Sequence, residues 1–364
     1  MSLEQYQHDL LPDAQQYIRL VKIHPAAKKD PLTVTIEAHR RNSAPGYTAL
    51  SYTWGDKQLT KGISANGKLL LVTKNCWYAL GQLRLNNICD YCWVDAICIN
   101  QADDAEKSAQ VNLMGSIYRN ASLGAIAVGR HDSATEVLFR VLEGLGIARD
   151  FNATDISLDQ IEPELLERLA RGLVALGMHP YWNRIWIVQE FALAPKAILL
   201  CGNGSVSFDA ITALTNSLKE DSRGSKPRLT TRYDRTMMES TPMSATMRLR
   251  RMIRESSEGL IPFERLLDLL GPRQCSDVRD RIFGMLSLVK WESNVEPLVA
   301  DYSLSRTELA AKTLQLYKGH QLYAASHMGT PDAILSARKR SIRTCIFYQP
   351  GLQFPEYWSI SPDY

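Results

Sequence analysis

A single carboxylate, Glu190, stands in an otherwise apolar segment, IWIVQEFALA. On a helix, the four residues that lie one turn from it are uncharged: Trp186, Ile187, Leu193 and Ala194. A carboxylate in such a setting must be hydrogen-bonded or paired from elsewhere, or burial must raise its pKa, and such groups are enriched at functional sites. Two interpretations stand at this point: a functional acid, or an ion pair with Arg279, Arg281 or another cation of the C-terminal helices.

A second polar group follows the apolar run WVDAICINQ, which we interpret as a strand that ends just before a helix. Asp95 lies within this run, where alternation places it on the same face as Trp93 and Ile97. Asn100 and Gln101 follow at its end. Ligands of open α/β sheets gather at the carboxyl ends of strands, but Asn and Asp at such positions also cap helices and form turns. Both roles stay open for this cluster.

Tyr52, Trp54 and Asp56 end another predicted strand, GYTALSYTWGD, in the same region. The aromatic side chains either stack on a planar ligand or pack against the core. His179, which stands alone before Pro180, is typical of a capping or packing residue, so it is not included in the candidate site.

Several classes of chemistry lack their residues. The sequence has no dinucleotide-binding glycine motif, phosphate loop, zinc-protease motif or nucleophile elbow. Its net charge of +3 gives no footprint for nucleic acid. The single C-x-x-C, Cys89 to Cys92, has no second ligand pair, so we expect no metal. The N-terminus lacks a signal-peptide layout, no apolar run reaches the roughly 20 residues of a membrane span, and the seven scattered cysteines suit a reducing compartment. These features predict a cytoplasmic protein.

Strand and helix patterns alternate along the chain, which favours an open α/β sheet. Two period-two segments, Tyr17–Ile23 and Leu32–Ala38, predict a peripheral N-terminal hairpin. Asp103 and Glu106 form a predicted capping box before a helix, and the segment Pro180–Ala194 predicts one buried helix. We expect a hairpin extension over residues 1–45, an α/β core over 46–218, a polar linker over 219–235 and a mainly helical region over 236–364.

Three blocks, in this order, resemble the fungal heterokaryon-incompatibility (HET) domain: YTALSYTWGD, WVDAICINQADDAEKSAQVNLMGSIYRNAS and WNRIWIVQEFALA. The flanks YIRLVKI, SDVRDRIFGMLSLV, VADYS and FPEYWSISPDY also resemble segments usual in this family. The sequence departs from the family in AIAVG, which lacks a tryptophan often found near that glycine. HET domains are thought to be remote relatives of Toll/interleukin-1 receptor (TIR) domains, so the resemblance implies a parallel sheet with helices on both faces.

The resemblance also assigns roles to residues. Trp186-x-x-x-Glu190 is similar to the W-x-x-x-E pattern of TIR domains that cleave NAD, which implies that Glu190 is the catalytic acid. We expect the substrate-binding residues beside it to be the strand-end residues Tyr52, Trp54, Asp56, Asp95, Asn100 and Gln101, together with Trp186. Cleavage of NAD passes through an oxocarbenium-like state that one carboxylate can stabilise, so no metal or further cofactor is required.

Two hypotheses follow. In the first, the protein is an NAD glycohydrolase (nucleosidase) that acts on NAD or a related nucleotide and triggers programmed cell death in fungal incompatibility. In the second, it is a non-enzymatic signalling module that self-associates or binds a partner incompatibility protein, and Glu190 pairs structurally. A solvent-reachable cleft beside Glu190 would favour the enzyme, whereas a close arginine partner without a cleft would favour the module.

Overall fold

The structure is a computed structural model that describes residues 4–159, 161–221, 235–256, 258–270, 273–293 and 295–316. Strands of the main sheet are β1 (Tyr17–Ile23), β2 (Thr33–Arg40), β3 (Thr48–Tyr52), β4 (Thr60–Ala65), β5 (Lys68–Thr73), β6 (Tyr91–Trp93), β7 (Leu123–Gly129), β8 (Ala197–Cys201) and β9 (Gly204–Ser207). They pair in the order β5-β4-β2-β1-β6-β3-β7-β8-β9. The four strands β6, β3, β7 and β8 are mutually parallel, and their buried, apolar residues form the centre of the core.

Helices surround this sheet. They are α1 (Lys74–Leu85), α2 (Asp95–Cys98), α3 (Asp104–Asn120), α4 (Ser133–Gly144), α5 (Pro163–Gly177), α6 (Ile187–Ala192) and α7 (Phe208–Asp221). The C-terminal region contributes α8 (Arg235–Glu239), α9 (Pro242–Glu255), α10 (Phe263–Leu270), α11 (Asp280–Phe283), a helical stretch at 306–316, and the short parallel pair β10 (Ile261–Pro262) and β11 (Val289–Lys290). The predicted α/β class, with an N-terminal hairpin and a mainly helical C-terminal region, is confirmed, and four of the eight strand pairings that the structure describes in the main sheet are parallel.

The N-terminal hairpin forms with the predicted strands, and it continues the main sheet instead of standing apart from it. In β1, Val21 and Lys22 pair with Cys92 and Tyr91 of β6. A second predicted turn, at Asn66-Gly67, joins β4 to β5. Both of its residues have positive φ, 51° and 78°, as a two-residue hairpin turn of this type requires.

The predicted strand WVDAICINQ is shorter than expected. Strand β6 ends at Trp93, and its last pairing residue on β3 is Ala49. Beyond this point the backbone has no neighbouring strand, so its amides bond locally: the Ile97 and Cys98 N–H groups both donate to the Val94 carbonyl, which starts α2. Asp95 therefore opens a helical turn, and its predicted place on a strand face with Trp93 and Ile97 was wrong.

The predicted helix Pro180–Ala194 is also interrupted. A 3-10 turn, Pro180–Asn183, is followed by extended backbone at Arg184, and α6 begins only at Ile187. The cause lies far along the chain, because Arg184 forms a β-bridge with Gln274, in which the Gln274 amide donates to the Asn183 carbonyl (2.7 Å) and the Ile185 amide to the Gln274 carbonyl (3.0 Å). This break points Arg184 back towards α6.

The helix α3 begins as predicted, but its capping box is incomplete. The Asp103 carboxylate accepts from the amides of Ala105 and Glu106, as an N-cap does. The Glu106 side chain does not return to Asp103; it binds Arg19 and the Asn100 amide instead.

Most of the predicted linker, residues 222–234, lies outside the described residues, as do the basic run Arg338–Arg343 and the segment FPEYWSISPDY. Among the helices that the structure does describe, none combines the length and apolar character needed to cross a bilayer.

Candidate functional site

Glu190 lies in α6 at the carboxyl end of β3, where only 3% of it is exposed. The Ser51 hydroxyl, from β3, donates to its Oε2 atom. The Tyr181 hydroxyl lies 2.5 Å from Ser51 Oγ. When Glu190 is ionised, the single Ser51 proton is committed to the carboxylate, so Tyr181 donates to Ser51. The result is a buried chain of two hydroxyl groups that ends at the carboxylate.

One cation approaches this carboxylate. Arg184 Nη1 lies 3.9 Å from Glu190 Oε2 and donates to the Tyr52 carbonyl at 2.5 Å. The predicted partners Arg279 and Arg281 were wrong: Arg279 binds Asp277 at 2.6 Å, and the Arg281 side chain lies against the Cys275 thiol. The Arg184 side chain is 17% exposed, whereas that of Glu190 is 3% exposed, so Arg184 is the more accessible member of the pair.

Burial and the neighbouring groups shift the pKa of Glu190 in opposing directions. Burial raises its pKa to about 7, and the Asp95 charge adds to the rise, whereas Arg184 and the Ser51 hydrogen bond oppose it. A carboxyl group with this pKa exchanges its proton near neutral pH, which is the property that general acid or base chemistry requires.

Asp95 belongs to the same charged group. Its Oδ2 atom accepts a hydrogen bond from Trp54 Nε1 at 2.8 Å, and its Oδ1 atom accepts from the Ala96 amide at 2.7 Å. Burial raises its pKa, partly offset by the Arg184 charge. Trp54, predicted from the neighbouring strand, is thus brought to Asp95, and Arg184 is within electrostatic reach of both carboxylates.

Tyr52 and Trp186 each make contacts with other parts of the protein. The Tyr52 hydroxyl faces Cys76 of α1, and burial raises the pKa of both groups. Trp186 donates to Asp280 of α11, a carboxylate that also accepts from the Tyr302 hydroxyl at 2.8 Å. Burial raises the pKa of Asp280 to about 6.

The remaining predicted residues make turn contacts. Asn100 Oδ1 accepts from the Ala102 amide at 3.2 Å, and Asp56 Oδ1 accepts from the Gln58 amide at 2.9 Å. Gln101 donates to the Asp95 carbonyl at 3.0 Å and so holds the turn that carries Asp95. Their role as ligand contacts stays a prediction.

Sequence reasoning missed Ser51, Tyr181 and Arg184. A serine in a fully buried strand was an available signal, because a hydroxyl at such a position needs a polar partner. Arg184 stands six residues before Glu190, beyond the reach of helical neighbours, and only the break at the Gln274 bridge brings it close. In the described part of the chain, no cluster of three His, Cys, Asp or Glu side chains could hold a metal ion.

Comparison with known proteins finds a match to one family model and to one curated relative. Residues 47–190 match the model of the family "Heterokaryon incompatibility protein (HET)". Across an alignment of 364 residues, the chain is 28% identical to "Heterokaryon incompatibility protein 6, OR allele" of Neurospora crassa. The alignment covers 84% of this chain and 52% of that relative, so the chain spans about half of the relative's length. No solved structure matches the chain.

Proposed function

We propose that this chain, whose residues 47–190 match the HET family model, acts in heterokaryon incompatibility by cleaving NAD or a related nucleotide between nicotinamide and ribose. Glu190 is the catalytic carboxylate in this proposal. The observation that carries it is a buried acid, its pKa raised to about 7, that accepts from Ser51 at the carboxyl edge of the parallel strands. The match to the HET family model and the similarity to a heterokaryon incompatibility protein of Neurospora crassa support the biological role.

The chemistry needs one carboxylate. When the bond to nicotinamide breaks, positive charge develops on the ribose, and a nearby carboxylate stabilises it or holds a ribose hydroxyl. The leaving nicotinamide is already cationic in NAD, so no acid is needed to protonate it. Near pH 7, Glu190 is partly ionised, and the adjacent Arg184 favours the ionised form.

Access of a nucleotide to this acid requires a movement of Arg184. Glu190 is 3% exposed, and the neighbouring Arg184 side chain is 17% exposed and tied to the Tyr52 carbonyl. Once displaced, the same guanidinium is suited to a nucleotide phosphate, since arginine binds phosphate oxygens in a bidentate manner. We therefore expect activity to depend on a conformational change that displaces Arg184.

A second candidate function, a non-enzymatic signalling or self-assembly module, is favoured by the closure of the same network. Glu190 Oε2 accepts from Ser51, which is itself bonded to Tyr181, and Arg184 lies 3.9 Å from the same oxygen atom, so this oxygen has protein partners without any ligand. In this alternative, the cluster stabilises the domain, and incompatibility follows from contacts with another protein or with a second copy of the chain.

The two candidates differ in the effect of Glu190→Gln. The purified protein is incubated with NAD over a wide concentration range, its oligomeric state is followed by light scattering, and released nicotinamide is quantified by chromatography. If Glu190 is catalytic, the variant should lose about 100-fold or more of the turnover, a loss typical of removing one preorganised stabilising group. Gln189→Met is a matched control: it lies on the same short helix, and its amide donates to the Phe283 carbonyl at 3.0 Å.

The control should lower stability while keeping turnover, because Gln189 does not contact the carboxylate cluster. Turnover that Glu190→Gln leaves unchanged would exclude Glu190 from the mechanism. Absence of turnover in every assembly state of the parent protein, together with altered stability in Glu190→Gln, would leave the signalling module as the function.

A further inference from the structure

A cavity of about 670 Å³ lies between α7 and the pair α8–α9, apart from the Glu190 cluster. We call it the α7–α9 cavity. Its wall residues include Phe208, Asp209, Met247, Arg248, Arg250 and Arg254. Its volume is in the range of pockets that hold small organic ligands, about 300–1,000 Å³.

The cavity carries an excess of positive charge. Five of its wall residues are basic and three are acidic. Two of the acids have basic neighbours within the wall: Glu255 lies 2.7 Å from Arg251, and Glu239 lies 3.7 Å from Lys219. The third wall acid, Asp209, acts electrostatically on Arg250.

Arg250 is the most constrained of these cations. It is only 5% exposed, its Nη1 atom donates to the Phe191 carbonyl, and its guanidinium carbon lies 4.4 Å from the centroid of the Phe191 ring. Among the residues that the structure describes, no carboxylate lies within 4 Å of it. The pKa of Arg250 is lowered to about 9, chiefly by burial and also by the neighbouring Arg254 charge. Asp209 has a weaker, opposing effect.

A buried guanidinium without a carboxylate partner is energetically unfavourable unless an anion neutralises its charge. Of its five N–H donors, one bonds within the described residues, to the Phe191 carbonyl. Arg248 and Arg254 stand at the exposed rim of the same cavity, where their side chains are held by the carbonyls of Glu239 and Pro195 at 3.0 Å and 2.8 Å. The three guanidinium groups therefore face one space from its floor and its rim.

We propose that the α7–α9 cavity binds a small organic phosphate of the nucleotide class. Its phosphate groups contact Arg250, Arg248 and Arg254, because guanidinium groups match phosphate oxygens in charge and in geometry. Its organic part lies against Phe208 and Met247, the apolar wall residues. This site is distinct from the proposed NAD-cleaving site, and its existence does not depend on that activity.

The test is calorimetric titration of the purified full chain with three probes: sodium pyrophosphate, ATP and adenosine. Pyrophosphate and ATP should bind, ATP more tightly because it also contacts the apolar wall, and adenosine should not bind measurably at about 1 mM. Arg254→Gln and Arg248→Gln should each weaken both phosphates by about 10-fold, the size expected for one charge-assisted hydrogen bond. Both side chains are exposed, so these variants should fold.

Arg140→Gln is the matched control, because Arg140 is an exposed helical arginine, 73% exposed and paired with Glu136, on a helix that does not line the cavity. It should leave both affinities unchanged. The proposal is overturned if neither phosphate binds, if adenosine binds as tightly as ATP, or if Arg140→Gln weakens binding as much as the two rim variants.

Discussion

At Glu190, burial and neighbouring charge act against each other on one carboxylate. Burial dominates, and the pKa rises to about 7 in spite of Arg184 and Ser51. The protonated form is therefore the one that the folded protein prefers over most of the acidic range. When the pH rises far enough to ionise such a buried carboxyl group, the free energy of unfolding decreases.

This balance predicts how stability changes with pH. In the unfolded chain, Glu190 loses its proton near its ordinary pKa of 4.5, whereas the folded protein keeps that proton up to about pH 7. Between these values the folded state binds more protons, so the contribution of Glu190 to the free energy of unfolding decreases as pH rises. Glu190→Gln should therefore gain stability relative to the parent protein between pH 4.5 and pH 7, by up to about 3 kcal/mol.

The measurement is urea denaturation of both proteins at pH 4.5, 6 and 8. Asp280, whose pKa burial raises to about 6, is present in both proteins, so its effect cancels in the difference. A difference in unfolding free energy that is constant over this pH range would show that the Glu190 pKa is not raised.

For the site, the sequence identified the acid but not its partners. An apolar segment without a basic residue one helical turn from Glu190 is enough to predict a buried, perturbed carboxylate, and the structure agrees. Arg184 was not predictable as its neighbour, because its position depends on a bridge to Gln274, some 90 residues later in the chain. Pairings of this kind are set by tertiary structure and leave no local pattern.

At the scale of elements, one buried ion pair ties the N-terminal hairpin to the helix α3. Arg19 of β1 lies 2.6 Å from Glu106 of α3, and their side chains are 4% and 5% exposed. Arg19 also donates to the carbonyls of Cys98 and Asp9. Glu106 in turn accepts from the Asn100 amide, which fixes the loop between α2 and α3.

The pair predicts an asymmetric mutational response. Arg19→Met leaves a buried carboxylate without its cation and should cost about 3–5 kcal/mol of unfolding free energy. Arg19→Met combined with Glu106→Leu removes both charges and should recover a large part of that loss. Thermal and urea denaturation of the two variants measure the difference.

Arg140→Ala supplies the control, since it breaks an exposed pair, Arg140 with Glu136, and should change stability by less than about 0.5 kcal/mol. A double variant that is no more stable than Arg19→Met would contradict the assignment of the loss to an unpaired buried charge.

At the scale of the molecule, the C-terminal region packs directly on the helices of the α/β core. The Asn112 side chain of α3 makes two hydrogen bonds with the Ala300 backbone, at 2.7 Å and 3.0 Å. Arg273 donates to the Trp182 carbonyl at 2.7 Å, next to the break that places Arg184. The C-terminal residues thus help to position the candidate site.

The order of strands and helices followed from hydrophobic periodicity and turn residues, as the pairs β1–β2 and β4–β5 show. The sheet as a whole did not, because the pairing of β1 with β6 joins segments about 70 residues apart. Helix breaks such as that at Arg184 were missed for the same reason. Local signals fixed the elements, and non-local hydrogen bonds decided how far each one extends.

Gly115 of α3 packs closely against the C-terminal region. A Cβ atom there would lie 2.2 Å from Ser287 Cβ and 3.3 Å from Leu193 Cδ1, so Gly115→Ala must push the Leu286–Leu288 turn away from α3. We expect a loss of about 1–3 kcal/mol in unfolding free energy. Gly81→Ala, in α1, is the matched control: no atom lies within 4 Å of its added Cβ, so the higher helix propensity of alanine should stabilise the protein by about 0.5–1 kcal/mol. Urea denaturation distinguishes the two signs, and a Gly115→Ala protein as stable as Gly81→Ala would show that this turn does not pack tightly on α3.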